Sequence, residues 1–250
     1  MEILQIVVLF VGAILFTVSF FIPDKQVSTK EIREKEEKKA QRNQSGVFNA
    51  VKFIFASPDT KKLIISHIIF DAGMPAIALY YESSMHIAGM STADITKSLF
   101  VLPIVYALLT FFSGFIADTL GRKRLIIGAS ILSITGFILF AVGINNLWNP
   151  YLIGGFCGLY QGCYWIGRDY MNIMMTEKVP TDIRASVVGA EGLLVIIGLA
   201  VGYILVIVGM LVLPVWLTCL LVALPCVAAA AIILASGVKE TKGVNLDEIE

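Results

Sequence analysis

Of the 250 residues, 57% are hydrophobic and 15% are charged, and mean hydropathy is +0.83. Soluble domains carry about 25% charged residues, so the composition excludes an ordinary soluble enzyme and points to an integral membrane protein. Formal net charge is zero, which gives no pointer to nucleic acid and makes the placement of the 19 basic residues the informative quantity.

Ile3 to Ile22 is the first apolar stretch, about 20 residues without a charge and long enough to cross a bilayer. A signal peptide would need a basic start and a small-x-small cleavage site; Glu2 is acidic and no such site follows, so a retained helix is expected. Pro23 ends it. Asp24 to Gln44 is charge-dense, with Ser28 and Glu31 at capping-box spacing, and reads as a solvated helix or linker. Leu63 to Tyr81 is the second span and carries His67, Asp71 and Pro75. Ser98 to Ala117 and Leu125 to Ile144 are the third and fourth, joined by a turn containing Arg122, Lys123 and Arg124. Tyr151 to about Gly167 is the fifth, continuing into a polar end with Arg168 and Asp169. Ala185 to Ala235 would be about 75 Å long as one helix; it is read as two spans that turn between Gly209 and Pro214.

Seven helices result, and the basic residues orient them. Ten lie between the first and second spans, three in the turn at Arg122, three from Arg168 to Arg184 and two in the tail, leaving Lys97 alone on the other side. With the first N-terminus outside, the linker and C-terminus face the cytoplasm of a cell membrane. A rhodopsin is excluded because the last span has no lysine for a Schiff base. A seven-helix receptor stays open as an alternative.

The sequence around the turn resembles the loop motif of the major facilitator superfamily. Gly114, Asp118, Gly121, Arg122 and Lys123 carry the likeness, and Glu177, Pro180, Arg184 and Gly189 match the E-x-x-P-x-x-x-R-x-x-x-x-G that follows the tenth helix there. Lys239 to Gly243 looks like the PETKG segment of sugar porters, and Tyr80 and Tyr81 resemble the tyrosine pair closing their seventh helix. The resemblance implies an all-α polytopic fold whose last six helices form two inverted three-helix repeats. Residues 1–23 would be the sixth-helix equivalent, 24–62 the cytoplasmic linker, 63–236 the C-terminal half and 237–250 a cytoplasmic tail. It implies secondary transport of a small organic solute by alternating access, as a symporter within the lipid bilayer, with an N-terminal half or a second copy as partner. A fragment that only binds or assembles is the further alternative. Thr119 and Val238 depart from the motifs. Ile69, Phe70 and Pro75 stand where amides contact hexose, which argues against a hexose.

Asp118, Arg122, Lys123, Arg124, Arg168, Glu177, Pro180 and Arg184, with the motif glycines Gly114 and Gly121, are the expected cytoplasmic gate, in which carboxylates and guanidinium groups pair when that side closes. Loop charge obeying the positive-inside rule is the competing reading. Asp71 falls about 12 Å into its span, near the middle of a core about 30 Å thick, and His67 lies one turn earlier on the same face. A carboxylate and an imidazole so placed suit a proton-carrying pair; a structural bond to a neighbouring helix is the alternative. Glu191 is the lone charge of the last two spans, with Arg168 as its expected partner. Gln161 and Trp165 share a face, and with Tyr80 and Tyr164 they are candidates to meet a solute. Gly154, Gly158 and Gly162, and then Gly198 and Gly202, form stripes for close helix approach. Cys157, Cys163, Cys219 and Cys226 lie in apolar runs without a C-x-x-C pair, so packing is their expected use, and neither a metal site, a cofactor site nor a catalytic constellation is expected.

Overall fold

A computed structural model describes residues 46–181 and 183–243. The first span, the Ser28–Glu31 capping spacing and most of the linker lie outside the described residues. All regular structure among the described residues is helical, and the chain is a polytopic α-helical membrane protein.

Helix α1, Gly46–Ala56, occupies part of the stretch read as linker. Its Ala50 and Ile54 are fully enclosed, so this part of the segment packs into the bundle instead of running free. Helix α2, Pro58–Ala72, starts five residues before Leu63 because Ser57 caps it, accepting from the Asp59 amide at 3.3 Å, with Pro58 in the first turn. The second span is not continuous. Gly73 interrupts it and Pro75 supplies no amide, so a short helix α3, Met74–Ala78, carries the chain onward. Helix α4, Tyr81–Ile87, then leads to the turn before α5.

Helix α5, Thr92–Leu120, is capped by Ser91, whose hydroxyl accepts from the Asp94 amide at 3.2 Å. It ends at Gly121, whose φ of +96° suits glycine, and α6, Arg122–Asn145, begins at once. Helix α7, Pro150–Thr176, is capped by Asn149 and runs well past Gly167, carrying Arg168 inside its length. The polar end expected after Gly167 is thus part of the same helix, and its Arg168 is tolerated because a partner helix satisfies it. Helices α8, Arg184–Met210, and α9, Val215–Gly237, turn between Gly209 and Pro214 as expected. By length and apolarity alone, α5, α6, α8 and α9 qualify as membrane spans.

The packing follows the two three-helix repeats. Helix α7, first of the second repeat, lies against α5 and α6, whereas α2, first of the first repeat, lies against α8 and α9; α6 meets α9. Each repeat therefore wraps the leading helix of the other, as an inverted pair does about its pseudo-two-fold axis. The glycine stripes are the seams. A Cβ at Gly154 would overlap backbone of Ser98, and one at Gly158 would reach the Leu102 carbonyl, so α7 and α5 touch backbone to backbone. At Gly198 and Gly202 a Cβ would overlap the Ile68 and Ala72 carbonyls, which holds α8 as tightly to α2. The cysteines are unpaired, and Cys157, Cys163 and Cys219 are buried.

Candidate functional site

Two charged regions stand out. The first is inside the bundle, where α2, α7 and α8 meet. His67 and Glu191 are both fully buried, and His67 Nδ1 lies 2.9 Å from Glu191 Oε1. The other ring nitrogen, Nε2, lies 3.9 Å from Asp71 Oδ1 and has no hydrogen-bond partner; Glu191 Oε2 also lacks one. Asp71 in turn holds Arg168 through two parallel bonds, Nε to Oδ1 at 2.9 Å and Nη2 to Oδ2 at 2.9 Å. This fork-to-fork geometry is the strong form of a carboxylate–guanidinium pair. The result is a line of four groups, Glu191, His67, Asp71 and Arg168, with three helices contributing.

Glu191 therefore pairs with His67 and not with Arg168 as expected. The physical reason is reach: Asp71, on the α2 face turned toward α7, claims both ends of the guanidinium fork. Tyr164 closes the site from α7. Its ring stacks on Phe70 at 4.6 Å, and its hydroxyl, donating, lies 3.3 Å from the Phe70 carbonyl and 3.4 Å from Asp71 Oδ1. Trp165 lies under Arg168, the guanidinium carbon 5.5 Å from the ring centre. Gln161 and Tyr80 stay apart. The Gln161 amide turns to Cys157 Sγ of its own helix at 3.6 Å, and Tyr80 lines a narrow cleft with Tyr81, Phe137 and Trp216 beyond the α2–α3 break.

The second region is the end of the bundle bearing the turn at Gly121. Arg122 lies 3.2 Å from Glu177 Oε1 through Nε and 3.2 Å from Asp118 Oδ1 through Nη1, so it ties α5 to the end of α7. Glu177 also accepts from the Thr241 hydroxyl. The tail contributes more than its resemblance implied. Glu240 accepts from the backbone amides of Arg122, at 2.9 Å, and Lys123, at 3.1 Å, capping α6 from 118 residues away. Its carboxylate lies where a Cβ on Gly121 would sit, a second reason for glycine at that turn. Asp59 was not singled out in the sequence. It pairs with Lys178 and accepts from the Lys239 amide at 2.7 Å, binding the start of α2 to the tail. Its position beside Pro58 in a first turn was the available signal.

Arg168 and Arg184 do not join this cluster. Arg168 is in the buried site, and Arg184 folds back on its own turn, Nη2 donating to the Val179 carbonyl at 3.2 Å and to Thr181 Oγ1 at 3.3 Å. Pro180 shapes that turn, its carbonyl accepting from Ile183 at 3.3 Å. Gly114 borders open space, and Arg124 is exposed.

A model of the Major Facilitator Superfamily matches residues 3–190. The chain belongs to that family. Membership places it among membrane transporters and gives the receptor alternative no support. The chain is similar to the "D-xylose-proton symporter-like 3, chloroplastic" of Arabidopsis thaliana, 29% identical over 132 residues, covering 50% of this chain and 24% of that protein. The chain thus matches about a quarter of that relative's length. Among the described residues of this superfamily member, no group of acidic, His and Cys side chains is arranged to hold a metal.

Proposed function

We propose that the chain forms the C-terminal part of a secondary transporter that moves a small organic solute by alternating access, driven by protons, with an N-terminal half or a second copy completing the pathway. The observation that carries this reading is His67 standing between two carboxylates inside the bundle, 2.9 Å from Glu191 and 3.9 Å from Asp71. Ionisable groups at such depth are costly and are kept facing an interior or a wet cavity, where proton relays are built.

The three acid–base groups have different parts. Asp71 is committed to Arg168 by two bonds, so its charge fixes α2 to α7. Glu191 and His67 each retain one atom without a partner, and these are the atoms at which a proton is free to arrive. A proton on the Glu191 carboxylate replaces a charge-assisted hydrogen bond between α8 and α2 with a neutral one. The attraction between those helices then depends on proton occupancy, and a two-state equilibrium responds to a difference of a few kcal/mol. The printed name of the Arabidopsis relative, a proton symporter-like protein, supports the coupling. For the solute, Ile69 and Phe70 offer no amide, and Phe70 is stacked on Tyr164, so the solute is read as an organic molecule other than a hexose.

At the other region, Asp118, Arg122 and Glu177, with Glu240 and Thr241, form the cytoplasmic gate of this reading, and the end that bears them faces the cytoplasm. The test is uptake into liposomes holding the reconstituted transporter, with and without an inward proton gradient. Glu191→Gln should retain solute exchange and lose gradient-driven accumulation. Accumulation by that variant at the wild-type level would overturn proton coupling through this pair.

A further inference from the structure

Beside the gate, on the flank formed by the ends of α5, α6 and α9, is a cavity of about 770 Å³. Among the described residues, four cations line it, Lys123, Arg124, Lys239 and Lys242, against one carboxylate, Glu240. That carboxylate is already engaged by the α6 amides. Lys123 donates to the Ala235 carbonyl at 2.9 Å and Lys242 to the Thr119 carbonyl, so both ammonium groups are held at the rim by helix ends. Arg124 and Lys239 are exposed and form no ion pair among the described residues.

A second cavity of about 170 Å³ adjoins it along the same flank, and Leu120 and Arg124 line both. This one is almost wholly apolar. Ile116, Leu132 and Cys163 form its walls, and Gly128 and Ala129 leave its floor low. A Cβ at Gly128 would meet nothing within 4 Å. Ile116, Leu120 and Leu132 are exposed there, as side chains facing hydrocarbon are.

A cationic cup at the end of a membrane-facing bundle, opening into an apolar groove that runs toward the bundle's middle, has the two-part chemistry of one ligand class. We propose that this flank is a binding site for an anionic glycerophospholipid, its phosphate and headgroup held by Arg124, Lys239, Lys123 and Lys242 and one acyl chain lying in the groove over Gly128. A free phosphate would satisfy the cup but leave the groove unexplained. A zwitterionic lipid would fill the groove and leave the positive excess of the cup uncompensated. Each Lys or Arg near an anionic headgroup adds to the attraction.

The site abuts the gate through Glu240, which lines the cup and caps α6. A bound headgroup would thus share lysines with the helix ends that the gate joins.

Native mass spectrometry of the full chain, released from detergent with phosphatidylglycerol or phosphatidylcholine added, tests the proposal. One phosphatidylglycerol should be retained at least about tenfold more tightly than phosphatidylcholine. Arg124→Gln with Lys239→Gln should erase that preference. Gly128→Leu, placed where there is room for it, should weaken long-chain phosphatidylglycerol while leaving a short-chain form with the same headgroup unaffected. Inorganic phosphate and glycerophosphoglycerol should not compete at the same concentration. Equal retention of the two lipids by the wild-type chain, or displacement by inorganic phosphate alone, would overturn it without recourse to any variant.

Discussion

The buried site and the charged end use the same ionic chemistry in different surroundings. Inside the bundle, four groups stand in single file, and the buried atoms of that line without a partner are His67 Nε2 and Glu191 Oε2. At the charged end, each anchoring carboxylate serves two or more donors: Glu177 holds Arg122 and Thr241, Glu240 holds two amides, and Asp59 holds Lys178 and the tail. Water reaches the second region, whereas in the first only the Arg168 end of the line is exposed. Removing His67 or Glu191 leaves a fully buried partner with nothing to replace it, whereas removing a partner outside leaves substitutes. Specific response thus resides in the interior, and tolerance at the end.

That contrast can be broken most sharply at Asp71. Asp71→Ala should cost about 3 kcal/mol, the low end for a broken buried pair, because the Arg168 side chain retains 28% exposure through which to find water. Thermal unfolding in detergent would measure it. Asp71→Asn combined with Arg168→Gln should lose less than the two single changes together; an additive result would mean the pair is not coupled.

The glycine seam comes next. Gly198→Leu should cost about 1–3 kcal/mol by overpacking, since even a methyl overlaps the Ile68 carbonyl, and it should impair transport along with stability. Gly189→Ala, on the same helix in open space, is the control and should be nearly silent in both measurements.

At the charged end the effects shrink. Glu240→Ala removes a helix cap and should cost about 1 kcal/mol. Hydrogen exchange at the start of α6 should rise while the buried helices stay protected. Smallest is Asp118→Asn, about 0.5 kcal/mol or less, because the aspartate is 76% exposed and Arg122 keeps Glu177. An Asp118→Asn penalty as large as that of Asp71→Ala would erase the distinction between the two regions.

The helices were legible in the sequence because apolar runs of membrane length need no partner to be recognised. The need for a turn between the last two spans followed from length, and its place from Gly209 and Pro214. Their ends were less so. The polar end after Gly167 proves to be helix running to Thr176, and the partner that makes Arg168 tolerable there, Asp71, lies 97 residues away, where no local pattern encodes it. In the site, His67 and Asp71 were found from helical spacing, and Glu191 from being the lone charge in its run. Who pairs with whom depended on which face of α2 meets α7 and which meets α8, a matter of packing. Asp59 and the capping role of Glu240 escaped for the same reason, since both act on residues more than 100 positions distant.

That last distance has a bearing on biosynthesis. When α6 enters the membrane, the carboxylate that will cap it has yet to be translated, and three further helices must be made first. At roughly 5–20 residues per second, the 118 residues from Arg122 to Glu240 take on the order of ten seconds. During that interval the exposed amides of Arg122 and Lys123 have only water or lipid headgroups to bond. The nascent chain thus inserts α6 with an uncapped, strongly cationic entrance, and Glu240 later converts that provisional end into a folded joint.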